Sequence, residues 1–453
     1  MKLAKLSLAA MVVAGLASSS FAADTLADAF KNGKVNGELR AWYWDRDTNE
    51  VAATTAAGKG NADIFNAAVI LNYVTDSLYG FYFGATAASN YAPFADKEAK
   101  QLFSKDEYGS GAVFSELYLG YKIGKTDAKV GRQYISTPLV GGSSSRIVKE
   151  SFEGATIVNT DLPQTTLVGG YVSKFQGRTT NIAGTNASST DSDIGEFRKA
   201  ASTTAGSTKF ATGPSIPSEA TFDGAYTIGA INKSVTGLTL TAQYALANDV
   251  LAKGDIDLYY TEANYLLPLS NFKLGFDVVY RGSKVDDTIS SNFDGTYAGA
   301  RVSIKELAGF GSSFAYGTTS KNDDVIAGFG GGPSTYTGTL MRASGSTLGA
   351  NTDSLRFDVT YDFSKIGVAG LTAIASYAQA KQDYVAGVFK ASEANDLKYT
   401  SYAGGVTYDV AALKGLSLAL MYETQEKETR PVSGAATTSQ DTDEFRFMAN
   451  YKF

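Results

Sequence analysis

Asp443-Glu444-Phe445-Arg446-Phe447-Met448-Ala449-Asn450-Tyr451-Lys452-Phe453 alternates without a break and ends on an aromatic residue. Phe445, Phe447, Ala449, Tyr451 and Phe453 share one phase; Glu444, Arg446, Met448, Asn450 and Lys452 share the other. On an extended strand that pattern gives one apolar and one largely polar face. As the end strand of a soluble sandwich it would leave an edge open to aggregation. Pairing it with the first strand of a closed barrel removes the edge, and a lipid surround explains the apolar face. The expected fold is therefore all-β: a transmembrane antiparallel β-barrel.

The other end of the chain fits export. Lys2 and Lys5 precede an apolar stretch, Leu6 to Leu16, and Ser20-Phe21-Ala22 forms a small-x-small cleavage site. The expected organisation is a leader over 1–22 and one barrel domain over 23–453. Without the leader, 38 basic residues face 46 acidic ones, a formal charge of −8, so no nucleic-acid partner is expected. No apolar run of 18 residues follows Ala22, which excludes helical membrane spans. The absence of Cys and His removes thiol nucleophiles, Ser-His arrangements and the usual zinc sites. Carboxylate pairs alone leave hydrolysis formally open, but nothing in the sequence supports an enzyme, a metal or a cofactor.

Period-two segments recur along the whole chain. Lys34–Asp45 is followed by Phe65–Tyr73 with Tyr79–Ala87, Val113–Lys122 with Asp127–Tyr134, and Phe152–Thr160 with Thr165–Phe175. Then come Phe222–Ile231, Leu238–Leu246, Ile256–Leu266, Phe272–Arg281, Tyr297–Lys305, Phe310–Thr318, Leu355–Phe363, Leu371–Ala378, Tyr402–Asp409 and Leu416–Glu423. With Phe445–Phe453 the count is eighteen, an even number as bacterial barrels require. Connections after even strands are short, as at Thr75–Leu78 and Gly124–Thr126. Those after odd strands are long, as at Tyr91–Gly111, Gln176–Thr221, Lys321–Asp353 and Glu426–Asp441. This is the expected asymmetry of periplasmic turns and extracellular loops. Tyr43, Tyr73, Tyr79, Tyr121, Tyr280, Tyr361, Tyr377, Tyr408, Tyr422 and Tyr451 fall near strand ends in the lipid phase, where aromatic girdles form.

The polar phase holds the candidate functional residues, since a barrel of this width encloses water. Arg40, Lys273, Arg281, Arg301, Arg356 and Arg446 fall on it, as do Glu38, Glu116, Asp277, Asp358, Asp362, Glu423 and Glu444. With odd strands rising, Arg281 and Arg356 lie toward the outer rim, Arg40, Arg301 and Arg446 near mid-height, and Lys273 toward the periplasm. Such a staircase sets the selectivity of a pore for anionic groups. The alternative is structural pairing across strands, with Arg40 facing Glu444 and Glu38 facing Arg446.

Val130-Gly-Arg-Gln-Tyr-Ile-Ser-Thr-Pro138, then Gly141-Gly-Ser-Ser-Ser-Arg146 and Phe152-Glu-Gly154, resembles the OprD family of outer-membrane porins. Lys34–Asp45, Gly330-Gly-Gly-Pro333 and Tyr451-Lys-Phe453 resemble its Campylobacter-type major outer membrane protein relatives. The resemblance implies an eighteen-stranded, often trimeric porin, with the loop after strand five folded inward as a constriction. It also implies that Arg132 and Arg146 line that narrow zone or anchor the loop. Arg132 shares a phase with Ala128 and Val130, so a lumenal Arg132 requires a bulge or a strand end. Basic ladders in such channels favour carboxylate-bearing solutes, although Ser143-Ser144-Ser145 stands where an Asp usually precedes the loop Arg.

The function expected is passive diffusion of small hydrophilic solutes or ions across the outer membrane of a Gram-negative bacterium. Outer-membrane lipid surrounds the chain, and a homotrimer is the assembly the resemblance suggests. The alternative is a surface adhesin or structural protein acting through the long loops. A lipid hydrolase would generally use a His. Within Gln176–Thr221, Asp191, Asp193 and Glu196 are acidic enough for Ca²⁺ but lack the spacing of a known calcium loop.

Overall fold

The computed structural model describes residues 23–48, 60–103, 107–177, 197–205, 219–290, 293–341, 345–386 and 394–453. The leader over 1–22 and the acidic trio Asp191, Asp193 and Glu196 lie outside them.

Eighteen strands form one closed antiparallel sheet. They are β1 (Lys34–Thr48), β2 (Asn61–Val74), β3 (Phe81–Tyr91), β4 (Gly111–Ile123), β5 (Thr126–Gln133) and β6 (Ser151–Asn159). Next come β7 (Thr165–Gln176), β8 (Gly224–Asn232), β9 (Leu238–Val250), β10 (Gly254–Pro268), β11 (Lys273–Val285) and β12 (Thr296–Leu307). The wall ends with β13 (Phe310–Thr319), β14 (Thr352–Asp362), β15 (Leu371–Gln382), β16 (Asn395–Asp409), β17 (Leu416–Pro431) and β18 (Thr438–Lys452).

The seam joins β1 to β18 with Leu39 opposite Tyr451. At its lower end Gly37 and Phe453 exchange both backbone bonds, at 2.9 and 3.0 Å. A Cβ on residue 37 would fall 2.2 Å from the tip of the Phe453 ring and would push that ring aside. Along β18, Phe447 is exposed on the outer wall whereas Glu444 and Arg446 are buried on the inner one. The alternation of the closing segment thus separates lipid from lumen.

One expected loop is mostly strand. Within Glu426–Asp441, β17 and β18 stay paired to Thr429 and Thr438. Both faces of that ribbon are polar, so its sequence carries no hydrophobic period, and only the hairpin pairing reveals it.

Two long-loop segments enter the barrel. Residues 134–150, after β5, and 320–341 with 345–351, after β13, meet through a parallel bridge between Val140 and Phe329. Ile326–Phe329 also pairs with Ala200–Ala205, which pairs with Glu219–Thr221. Leu139, Val140, Ile326, Ala327 and Phe329 pack against Val172, Ala245, Leu258 and Val279 of the wall in one buried apolar cluster. Each large side chain buried there contributes roughly 1.5–3 kcal/mol. The bore on the β7–β12 side is therefore packed toward the long-loop end, and a second buried cluster packs Ile147 and Val148 against Trp42 and Trp44 of β1 and Ile64 of β2.

Candidate pore constriction

Residues 134–150 hold a set shape because their turns are built from local hydrogen bonds. Thr137 Oγ1 donates to the Val140 carbonyl at 2.7 Å and accepts from the Val140 amide at 3.0 Å, a side-chain-closed turn around Pro138. Its tip is tied to the far wall: the Leu139 amide donates to Gln243 Oε1 of β9 at 3.0 Å, and Gln243 Nε2 donates to Thr137 Oγ1 at 2.7 Å.

A buried carboxylate latches the two inserted loops together. Glu150 Oε2 accepts from the Ser143 amide at 2.6 Å and from the Gly331 amide at 2.7 Å. Backbone bonds from Gly141 to Phe329, Phe329 to Leu139 and Gly332 to Gly141, at 2.8–3.0 Å, complete the link.

The inward arginines grip these loops. Arg40 donates Nη1 to the Ile147 carbonyl at 2.6 Å, while its Nε and Nη2 hold the Glu38 carboxylate at 3.0 and 3.2 Å. Arg281 reaches the Ala327 carbonyl, Arg356 the Gly338 carbonyl at 2.7 Å and Arg446 the Met341 carbonyl at 3.1 Å. Arg356 also pairs with Asp358, Arg446 with Glu444, and Arg301 with Asp277. Arg446 and Arg146 both lie against the Trp44 ring, at 3.8 and 4.9 Å from its centroid. A guanidinium suits this work because its fork serves a carboxylate and a carbonyl at once.

The crossed pairs expected at the seam do not form. Arg40 stands opposite Asn450 and Glu38 opposite Lys452. Glu444 instead meets Arg46, at 2.6 Å. Arg132 stands in the outward phase, opposite Leu117 and Glu153. Its neighbours there, Val130 and Ile157, are exposed by 64% and 48%, whereas the adjacent Gln133 points inward and is buried. Arg132 pairs with Glu153 at 3.3 Å, Glu153 pairs with Lys174 at 2.7 Å, and the Phe197 ring covers the guanidinium at 4.3 Å. Lys273 pairs with Glu306 at the short-turn end, away from the inserted loops.

Beneath the loops lies a cavity of about 320 Å³, lined by Glu38, Glu116, Tyr134, Lys149 and Lys452 with Asn72 and others. Glu116 accepts from Thr86 Oγ1 at 2.5 Å and from the Tyr134 amide at 3.3 Å, and Asn72 donates to Thr86. Lys149 has no carboxylate within 4 Å among the described residues; its ammonium lies 5.5 Å from the Tyr134 ring centroid. Burial lowers its pKa, with Arg40 adding to the effect. Burial likewise raises that of the Tyr134 phenol, with Glu116 contributing. The periodicity argument omits Lys149 because it belongs to no strand. The available signal was Ile147-Val148 inside a polar loop, since apolar residues there imply packing rather than solvation.

A family model described as outer membrane porin, OprD family, matches residues 28–453. No curated protein matches the chain. Among solved structures, OpdQ of Pseudomonas aeruginosa superposes with a TM-score of 0.70 at 18% identity, covering 94% of this chain and 99% of that one. OccAB3 of Acinetobacter baumannii gives 0.74 at 16% identity, over 93% and 99%. A BenF-like porin from Pseudomonas fluorescens Pf-5 gives 0.70 at 18%, over 94% and 99%. These likenesses are of fold.

Proposed function

This chain belongs to the OprD family of outer membrane porins, and from that premise we propose that small hydrophilic solutes, carboxylate-bearing ones among them, diffuse passively past its inserted loops. The supporting observation is the cavity beside β1–β4 and β18, polar on its walls and roofed by Tyr134 and Lys149 of the clamped loop. A loop held from both sides gives the bore a fixed constriction, as a passive size-selective channel needs. The inward arginines contribute by fixing the aperture. Liposome swelling and single-channel conductance of the folded, reconstituted protein test this reading; no conductance would favour a surface adhesin or structural role.

Residues 1–22 serve in this reading as the export leader. Association with further copies is supported by the Arg132–Glu153–Lys174 group on the outer wall. Arg132 sits opposite Leu117, four residues above Tyr121 along β4, which is roughly 10 Å higher for a tilted strand. Charges at that depth are disfavoured against lipid by about 2–4 kcal/mol for each cation. A second protein surface over β5–β7 relieves that cost.

A further inference from the structure

We propose that Lys149 is the residue that sets anion preference in this channel, acting with Lys452 as a two-ammonium site for the carboxylate of a passing solute. The inference rests on the porin reading above and assigns its selectivity to one place.

Most cations near the loops already hold a partner. Arg40 is occupied on one side by Glu38 and on the other by the Ile147 carbonyl. Arg301, Arg356 and Arg446 each carry a carboxylate partner. Arg281 is 3% exposed, pressed against Tyr260 beneath the Ala327 carbonyl. Arg281 lacks a carboxylate partner among the described residues but does not line the cavity, and the other four are paired. Lys149 and Lys452 both line it, and neither has an ion-pair partner among the described residues.

The carboxylates on the same wall do not cancel the two ammonium groups by contact. Glu38 is neutralised by Arg40, whereas Glu116, held by neutral donors, keeps its charge, so the cavity carries two ammonium groups against one uncompensated carboxylate. Lys149 is partly buried in the cavity roof, where its charge is screened less than one at the rim. Lys452, at the end of β18, is exposed below it. A carboxylate entering between them gains two charge-assisted donors without displacing an existing pair. A cation of similar size meets the same two charges as a barrier.

Titration gives an independent handle. Lys149 faces Glu38 and Arg40 from β1, Glu116 from β4, Lys452 from β18 and Tyr134 from its own loop. Its lowered pKa means that its charge is lost before that of an ordinary lysine as pH rises. Anion preference therefore declines below the usual lysine range and returns on acidification.

The experiment is reversal potential in planar bilayers under a potassium chloride gradient and then a potassium acetate gradient, using refolded full-length mature protein. Replacing Lys149→Gln is expected to lower the anion-to-cation permeability ratio on the order of twenty-five-fold, about fivefold for each ion from one unit charge a few ångströms away in water. Lys149→Arg should keep the ratio but shift its decline to higher pH, and Lys452→Gln should give a smaller loss. An unchanged ratio in a conducting Lys149→Gln channel overturns the inference and leaves the porin reading intact. A wild-type protein that folds without conducting overturns both. A conducting Lys149→Arg channel that loses the preference overturns the charge argument, because size would then be the cause.

Discussion

Replacing Glu150→Ala should turn a quiet channel into a flickering one with a larger mean conductance. The carboxylate is 2% exposed and accepts from the Ser143 and Gly331 amides, one on each inserted loop. Removing it leaves both donors without that acceptor, but only the Gly331 bond joins the loops, since Glu150 and Ser143 share the first one, so the link itself loses about 1–3 kcal/mol. The rest of the polar link is three backbone hydrogen bonds between Leu139, Gly141, Phe329 and Gly332, worth about 0.5–1.5 kcal/mol each. The loss is comparable to what remains, so the two loops part for a larger fraction of the time. Leu139, Val140 and Phe329 stay in the apolar cluster, which keeps the separation transient. Glu150 lies in a loop outside the eighteen wall strands, so the barrel should still migrate as a folded, heat-modifiable species. Glu150→Gln retains one acceptor oxygen and should fall between wild type and alanine. The assay is single-channel recording at fixed voltage. A Glu150→Ala channel as quiet as wild type, with the same unitary conductance, would refute the idea that this latch holds the aperture.

Other consequences are as direct. Arg132→Leu with Lys174→Leu should dissociate the assembly on native gels while leaving unitary conductance and reversal potential unchanged, since both residues sit on the outer-wall side; an unaltered assembly refutes the contact. Glu444→Gln strips the carboxylate shared by Arg46 and Arg446 in a buried site, where breaking such a pair costs about 3–5 kcal/mol. It should therefore lower the temperature at which detergent unfolds the barrel. Asp324 in the second inserted loop is buried and accepts from the Ala350 amide, and burial raises its pKa well above the ordinary carboxylate value. Its folded form favours the proton, so its contribution is complete below the unfolded pKa and is lost as pH rises through the raised one. Channel noise should grow over that window and stay flat in Asp324→Asn.

The wall was legible because lipid outside and water inside impose a period of two on every strand, as Phe272 to Tyr280 illustrates. All eighteen strands follow from that pattern, including β5–β7, where the alternation is mixed. Register was not legible. Periodicity assigns Arg40 and Glu444 to the same face but does not say which rung each occupies. The Gly37–Phe453 exchange sets the rung and places Glu444 opposite Arg46, six residues further along β1 than Arg40. For Arg132 the strand phase and the family likeness pulled in opposite directions, and the structure follows the phase. The loops were the least legible part. Their positions depend on donors such as Arg40, Gln243 and Arg356 that reach backbone carbonyls or turn residues far away in sequence.

That last dependence changes how charge in a bore should be read. Counting cations on the inner face suggests a ladder that passes an anion from one arginine to the next. A guanidinium already paired with a carboxylate contributes little net field beyond its own partner, and one also bound to a loop carbonyl cannot turn to follow a solute. Such arginines act on permeation through geometry, because the loops they fix decide how wide the aperture is. Selectivity then falls to the charges left without a counter-ion along the open side. In this barrel the cavity beneath the loops is lined by two such cations, Lys149 and Lys452, against one such carboxylate, Glu116. The aperture's size and its sign are therefore separable: mutations in the arginine clamps should change conductance and noise, and mutations in the two lysines should change ion preference at nearly constant conductance.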